Sequence, residues 1–266
     1  MRERTLADAT REAYGRVSRG YLAYLEGDGI TCLEGADAGT ITGFLASLLD
    51  RGWAKSSLFW VVSNFRPFLV FTGRRDLVDA IGLAGIRRPH PILPVIADDD
   101  VQRVVTACAS PALVSARDAS ITLLALMTGL RACDIIDLRL GDIDWRAGTI
   151  SIVQQKTRNP VTLPLPGLVT ALLAGYVLTE RPNTRGDHVF LRQLAPHTPL
   201  KDHASIHRIT TVVFTAAGVA DPQAGTRLLR HTAASRLLRA ATPLPTISAV
   251  LGHARIESAS SVSRLI

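Results

Sequence analysis

A long apolar helix that stops at a glycine is the feature that most restricts how this chain can fold. Residues 115–128 carry the apolar run ITLLALM and end at Thr128-Gly129, which predicts a helix with a sharp C-terminal end. Arg131 follows and opens a second helix, predicted over 131–139, whose apolar residues face the core. The side chain of Arg131 is therefore expected to project from a rigid corner between two helices and not from a mobile loop.

The composition is typical of a globular protein in a reducing compartment. Hydrophobic residues make up 47% of the 266 residues, and no apolar run approaches the length of a membrane span. The charged N-terminus lacks the apolar segment of a signal peptide, so we expect a cytoplasmic protein with no membrane partner. Cys32, Cys108 and Cys133 are predicted to be buried free thiols, and no cysteine–histidine spacing resembles a zinc site.

The N-terminal third predicts a small four-helix unit. Thr40 is a candidate cap for its second helix. Pro67 is expected to kink or interrupt the third helix, because proline lacks the amide hydrogen and crowds the preceding turn. The helices are predicted at 5–27, at 40–51, from Ser56 or Ser57 onward, and at 76–83.

A proline-rich stretch separates this unit from the rest. Three prolines in 85–94 predict a linker over 85–96 between domains at 1–84 and 97–266. The second domain is predicted to be mostly helical with one inserted hairpin, so the fold class is mainly α with a small β-sheet. Its helices are expected near 98–109 (with an aspartate cap), 115–128, 131–139, 166–178, 202–217, 226–240 and 244–251, and its strands near 149–155 and 160–164.

The charge balance favours a phosphate-bearing partner. The chain has 30 Lys and Arg against 23 Asp and Glu, a net charge of +7 with a pI near 9.9. Only Lys55, Lys156 and Lys201 are lysines, which draws attention to their positions. Lys156 lies at the end of a predicted strand, where a hairpin tip could reach into a groove. The alternative is an ordinary solvated turn lysine.

Two arginines share one face of the helix predicted at 226–240. Arg227 and Arg230 are three residues apart, and their guanidinium groups repel unless an anion such as phosphate lies between them. The alternative is a carboxylate partner for each arginine, although no Asp or Glu lies between Asp221 and Glu257.

Two further positions also have structural alternatives. His253 follows Gly252 at a predicted helix end, where a lone histidine most often serves as a cap. Arg131 could hydrogen-bond nearby carbonyl groups or Asp134. Each signal alone is modest, so the order and spacing of all of them carry the functional interpretation.

Four motifs together resemble the tyrosine recombinases, also called phage-type integrases. TGLR at 128–131, followed by DIIDLR, resembles the first arginine motif of the family, and QQKT at 154–157 resembles its hairpin lysine. RLLRHTAASRLL at 227–238 resembles the H-x-x-R helix, and LGH at 251–253 resembles the third motif. The resemblance covers nearly the whole chain. It implies a helical core-binding (SAM-like) domain followed by a catalytic domain, which form a C-shaped clamp on double-stranded DNA.

This resemblance implies DNA cleavage and rejoining without a metal or a cofactor. A tyrosine hydroxyl attacks a phosphodiester in this family, so the protein supplies the charge stabilisation that Mg²⁺ gives in other phosphoryl transfers. Arg131 and Arg230 would bind the non-bridging oxygens. His253 would donate a further hydrogen bond, and Lys156 would protonate the leaving 5′ oxygen. Arg227 occupies the His or Lys position of the family and, being always protonated, cannot act as a base.

The sequence departs from the family at the nucleophile. Val262 stands where the tyrosine is expected, and no tyrosine follows Tyr176. The flanking serines, Ser261 and Ser263, are poor replacements, because they are shorter and need a base for activation. The other catalytic positions persist, which favours a recombinase reading frame that is truncated or shifted near its end. We expect this sequence to bind DNA without cleaving it.

Several interpretations stay open at this stage. One alternative is a DNA-binding regulator or a recombinase partner that never cleaves DNA, and another is a type IB topoisomerase with the same fold. The separate N-terminal domain fits the integrase branch better, and membership of that branch implies a mobile element and a tetrameric synapse on DNA. Candidate DNA contacts are Lys55, Arg66, Lys201 and Arg208, with a solvated surface role as the alternative for each.

Overall fold

The chain divides into two compact units that are mainly helical. The computed structural model describes residues 6–83, 86, 94–219 and 225–252. The first unit is Met1–Pro91 and the second is Ile92–Ile266, so the division falls within the range predicted as a linker. The described elements are helices and one small sheet, which confirms the predicted fold class.

The first unit packs four helices around an aromatic centre. Tyr21 has no exposed surface, and its ring centroid lies 5.3 Å from that of Phe44 and 4.7 Å from that of Phe65, both edge to face. Its phenol oxygen lies 2.8 Å from the Thr40 hydroxyl, so the buried polar atom is satisfied. The elements are α1 (Asp8–Gly27), a 3-10 turn (Leu33–Gly35), α2 (Ala38–Asp50), α3 (Lys55–Phe71) and α4 (Arg75–Leu83).

Two details of this unit differ from the expectations. The cap of α2 is Asp37 and not Thr40: its carboxylate accepts from the Thr40 amide at 2.9 Å, and its amide donates to the Thr40 hydroxyl at 3.1 Å. Pro67 lies inside α3 and does not interrupt it. Phe65 and Leu69, two residues to either side, are both buried, so packing outweighs the backbone hydrogen bond that proline forfeits.

The second unit is larger and contains the sheet. Its helices are α5 (Asp98–Cys108), α6 (Ala116–Thr128), α7 (Ala132–Ile136), α8 (Gly167–Gly175), α9 (His203–Ala216), α10 (Thr226–Arg239) and α11 (Leu244–Leu251). A π-helical turn (Tyr176–Glu180) extends α8, and a 3-10 turn (Leu140–Asp142) follows α7. In α6, Ile121, Leu123 and Leu124 are fully buried, and the helix is covered on nearly every side. A central position explains why its sequence is apolar all round.

Three short antiparallel strands lie on this core in the order β1–β2–β3. They are β1 (Ile143–Asp144), β2 (Thr149–Val153) and β3 (Pro160–Pro164). Ile143 faces Ile150, and Ile150 faces Leu163 on its other side. All three are buried, so one face of the sheet packs on the core. The connection between β2 and β3, residues 154–159, carries Lys156.

Some predicted boundaries in this unit are wrong. The strand β2 ends at Val153 and not at the predicted residue 155. The sequence did not predict β1, because a strand of two residues is too short to show the alternation of apolar and polar residues. The N-cap residue of α5 is Ala97, whose side chain accepts no hydrogen bond, so the predicted aspartate cap is wrong. Three aspartates lie in the first turn instead, where their negative charges stabilise the positive end of the helix dipole. The helix predicted at 131–139 already ends at Ile136.

The cysteines also differ from the expectation. Cys108 is buried, and burial raises the pKa of its thiol to about 12. Cys32 and Cys133 are exposed, so the prediction of three buried thiols is wrong for these two. Among the helices that the structure describes, none has the length and apolarity needed to cross a membrane.

Replacing Gly129 with alanine is expected to destabilise the second unit. Gly129 has a φ of +68°, a conformation that costs a residue with a Cβ about 1–2 kcal/mol. That Cβ would also lie only 2.6 Å from the Leu251 side chain. Thermal unfolding should show a clearly lower midpoint for Gly129→Ala. Gly141→Ala is the matched control, because no atom lies within 4 Å of its added Cβ. Equal midpoints for the two variants would contradict this packing.

Candidate functional site

Arg131 is held at the corner between α6 and α7. Gly129 ends α6 in the left-handed conformation, and Arg131 is the N-cap residue of α7. Its side chain is 18% exposed, and it donates from Nη1 to Gln154 Oε1 and from Nη2 to the Gly252 carbonyl, both at 3.0 Å. The expected rigid corner is thus present in the structure, and the guanidinium is fixed by two neutral acceptors.

Arg230 reaches the same place from α10. It donates from Nη1 to the Gly129 carbonyl at 2.7 Å and from Nη2 to the Leu251 carbonyl at 2.5 Å. Arg131 uses the next carbonyl, that of Gly252, so two arginines occupy adjacent carbonyls where α11 ends. A helix C-terminus carries partial negative charge, which favours guanidinium groups there.

The two charges are close enough to affect each other. Burial, together with the positive charge of Arg131, lowers the pKa of Arg230 to about 10. The group still remains protonated at neutral pH. The nearest carboxylate is Asp134, whose buried Oδ2 lies 3.9 Å from Arg131 Nη1. Two guanidinium groups thus face one carboxylate, and the net positive charge of the cluster attracts an anion.

The structural alternative left open by the sequence holds for Arg131 but not for Arg230. Arg131 does bond a carbonyl and approaches Asp134, as the structural alternative stated. Arg230 has no carboxylate within 4.0 Å among the described residues and uses backbone carbonyls instead. Each guanidinium has five N–H donors, so bonds to two acceptors leave donors for a ligand. Structural anchoring and ligand binding are therefore compatible at both arginines.

Arg227 and Lys156 are placed differently. Arg227 lies exposed one turn before Arg230, and no hydrogen bond joins it to any residue in the described ranges. Lys156 is exposed in the turn between β2 and β3. The turn itself is well anchored, because the Gln155 amide donates to Asp134 at 2.8 Å. The hairpin lysine is thus tied through its neighbour to the carboxylate beside Arg131.

The last two predicted positions, His253 and Val262, lie outside the described residues. Gly252, directly before His253, is the last residue described, and its carbonyl is part of the arginine cluster. In the described ranges, no group of three or more His, Cys, Asp or Glu side chains is arranged to hold a metal ion.

The candidate DNA contacts fall on both units. Lys55 is the first residue of α3 and Arg66 is exposed later on the same helix. Lys201 precedes the N-cap of α9, and Arg208 is exposed on that helix. Lys201 lines a cavity of about 360 Å³ together with Cys133, Asp137 and Gln155, which puts it beside the hairpin turn of Lys156.

Sequence reasoning missed two polar residues near the arginines. Gln154 is fully buried, although glutamine usually lies at the surface. His231 follows Arg230, and its Nδ1 is buried with no hydrogen-bond partner in the described structure. The only sequence signal was proximity, since each lies within two residues of a predicted site residue.

The sequence is similar to those of known integrases and recombinases. The family model described as the Phage integrase family matches residues 94–262. The y4gC protein of Sinorhizobium fredii, named as an integrase/recombinase, is 34% identical over 176 residues, which cover 65% of this chain and 90% of that protein. The y4rA protein of the same organism is 30% identical over 260 residues, 96% of this chain. The chain spans 63% of the length of y4rA and 47% of that of y4rF, a further protein of this organism named as an integrase/recombinase.

The fold is similar to those of solved recombinase structures. A lambda integrase dimer bound to a COC′ core site has a TM-score of 0.73 at 16% identity, with 99% of this chain and 90% of that chain covered. The XerH recombinase bound to a palindromic difH substrate has a TM-score of 0.72 at 16% identity, with 95% of this chain and 75% of that chain covered. These likenesses show the fold.

His231 gives the helix of Arg230 a sensitivity to acid. Burial lowers the pKa of its imidazole, and the positive charges of Arg227 and Arg230 lower it further. A hydrogen bond to the Pro94 carbonyl opposes this shift only in part. The folded state therefore takes up a proton on His231 less readily than the unfolded state does.

Acidification is expected to reduce the free energy of unfolding through His231. Because its folded pKa lies below its unfolded value, stability rises with pH between the two values and is lost as the pH falls through about 6.5 towards the folded pKa. Chemical denaturation from about pH 8 to about pH 5 should show a smaller loss for His231→Gln than for wild type. His207→Gln, at an exposed position, is the control and should follow wild type. Identical pH dependence in all three would refute the role of His231.

Proposed function

Because the chain belongs to the phage integrase family, the tyrosine recombinases, we propose that it binds double-stranded DNA as a site-specific recombinase that lacks its nucleophile. The observation that carries this proposal is the pair Arg131 and Arg230, whose guanidinium groups are both fixed on adjacent carbonyls at the end of α11. Phosphate matches the geometry of guanidinium donors. Arg131 and Arg230, here called the arginine cluster, thus form a preorganised binding site for one phosphodiester.

Each remaining residue of the proposed site has a chemical role. The free N–H donors of Arg131 and Arg230 bind the non-bridging oxygens of the phosphate and stabilise the charge that develops on them. Lys156, exposed on its turn, would protonate the leaving 5′ oxygen in a protein that carried the nucleophile. Arg227 adds charge on the same helix face, and His253 donates a further hydrogen bond. The cleavage chemistry of this donor set needs no metal.

The proposed site departs from the family at the nucleophile position, where Val262 stands. A tyrosine at position 262 would attack phosphorus, form a 3′-phosphotyrosyl bond and free the 5′ hydroxyl; Val262 has no group that can do so. Tyr176 cannot replace it, because it is 1% exposed and its hydroxyl accepts from the Leu191 amide at 3.2 Å. The proposed outcome is binding of DNA without cleavage, which also describes a regulator or a recombinase partner.

The same proposal assigns roles to the two units. The first unit would be the core-binding domain, with Lys55 and Arg66 of α3 on DNA. The second unit would be the catalytic domain, with Lys201 and Arg208 as further DNA contacts. Family membership supports a homo-oligomer on DNA, up to a tetrameric synapse, and a place of action in the cytoplasm.

Loss of either clustered arginine should weaken DNA binding in a salt-dependent way. The affinity of wild type for duplex DNA, measured by fluorescence anisotropy, should fall steeply with salt, and each phosphate contact contributes about 0.9 to the logarithmic slope. Arg131→Met and Arg230→Met should each lower that slope by about this amount. Arg239→Met is the matched control, because Arg239 already pairs with Asp98 at 3.0 Å. If the logarithmic salt slope is unchanged in both Arg131→Met and Arg230→Met, the arginines do not form a phosphate-binding site.

Restoring the tyrosine should restore the covalent step. Val262→Tyr is expected to form a covalent adduct with a pool of nicked, randomised DNA duplexes, visible as a slow band on a denaturing gel. Val262→Phe has the same ring without the hydroxyl and should give no adduct, and wild type should give none. An adduct with wild type would contradict binding without cleavage, and no adduct with Val262→Tyr would contradict the placement of position 262 at the phosphate.

A further inference from the structure

Gln154 is a buried polar residue at the base of the turn that carries Lys156. It has no exposed surface, and the turn fixes its backbone on both sides. Its amide donates to the Asn159 carbonyl at 2.9 Å, and its carbonyl accepts from the Arg158 amide at 2.8 Å. The direction of the Gln154 side chain is therefore set by the hairpin itself.

The side-chain oxygen of Gln154 is shared by two donors. It accepts from Arg131 Nη1 at 3.0 Å and from the Thr157 hydroxyl at 2.8 Å. A guanidinium can only donate, so the contact with Arg131 identifies which atom of the amide is the oxygen. One oxygen atom thus connects Arg131 to the turn of Lys156.

The same amide lies against the backbone of Gly252. A Cβ at this position would be 1.6 Å from Gln154 Oε1 and 2.5 Å from Nε2, so no other residue fits here without displacing the amide. Gly252 also has a φ of +61°, and its carbonyl accepts from Arg131 Nη2 at 3.0 Å. Gln154, Arg131 and Gly252 form a closed triangle of contacts directly before His253.

A neutral amide suits this position better than a carboxylate. A glutamate would offer Arg131 the same acceptors, but its charge would cancel the charge that attracts the phosphate. Gln154 Nε2 is buried and has no acceptor among the described residues. Buried donors are rarely left unpaired in folded proteins, so Gln154 is an unusual choice for a purely packing role.

We propose that Gln154 is a positioning residue that orients the Arg131 guanidinium and couples it to the turn of Lys156. This inference rests on the proposed function, because it takes Arg131 as a ligand of the DNA phosphate. Gln154 itself touches no reacting atom. Its effect is to hold Arg131 in place while leaving the charge of the arginine uncompensated.

Three variants separate positioning from simple packing. Gln154→Met keeps the length of the side chain but removes the acceptor, so Arg131 loses its orientation. Gln154→Glu keeps both acceptor contacts and adds a charge. Gln155→Met is the matched control in the same turn, because the Gln155 side chain donates to Asp137 and not to Arg131. Thermal unfolding of all three shows whether each variant is folded.

A double-mutant cycle tests whether Gln154 acts through Arg131. Gln154→Met should weaken duplex DNA binding by about tenfold in the wild-type background but have no further effect in Arg131→Met. Gln154→Glu should stay folded and should lower the logarithmic salt slope by about 0.9, because one phosphate contact is lost. Gln155→Met should bind DNA as wild type does. Equal effects of Gln154→Met in both backgrounds would overturn the proposal.

A second measurement decides the inference even where DNA binding fails. In wild type without DNA, the Arg131 guanidinium protons should give a slowly exchanging NMR signal, because two of its nitrogens are hydrogen-bonded. The signal should exchange faster in Gln154→Met and remain in Gln154→Glu and Gln155→Met. No DNA binding by wild type, with this NMR pattern present, would defeat the proposed function but not the positioning role. An unchanged Arg131 signal in Gln154→Met would defeat the positioning role itself.

Discussion

The carbonyl groups at the C-terminal end of α11 organise the candidate site. Leu251 and Gly252 present neighbouring carbonyl oxygens, which accept hydrogen bonds from Arg230 and Arg131 respectively. These acceptors carry only partial charge, so they hold the two guanidinium groups without cancelling them as carboxylates would. Segments that are far apart in the sequence meet at this point, and the positive charge that a phosphate needs is assembled there.

Two glycines make this convergence sterically possible. Gly129 ends α6 and Gly252 ends α11, both in the left-handed conformation that side chains disfavour. A Cβ on the first would strike Leu251, and a Cβ on the second would strike Gln154. The carbonyl of Gly129 also accepts from Arg230 at 2.7 Å. The same residues thus terminate the helices, permit close approach and supply acceptors, so the site and the fold cannot vary independently.

The sequence predicts those parts of the site that depend on local pattern. Arg131 follows a helix end and Arg230 lies one turn after Arg227 on a predicted helix, and both signals are visible in a few consecutive residues. Gln154 could not be predicted, because its burial depends on contacts with Arg131 and Gly252, both remote in sequence. The same reason explains the uninterrupted α3, where packing around Pro67 outweighs a local preference. The sequence pattern therefore predicts the proposed phosphate ligands Arg131 and Arg230. The residues that hold these ligands in place depend on tertiary contacts that the pattern does not show.

Arg230 determines how the charge of this site responds to pH. Its pKa of about 10 keeps it protonated throughout the neutral range. The one histidine of α10 is His231, whose protonation is opposed by burial and by the positive charges of Arg227 and Arg230. Acid therefore acts on the stability of the helix that carries the arginines, while their charge stays constant. Weaker DNA binding by this cluster at moderately low pH would report a loosened fold and not a loss of positive charge.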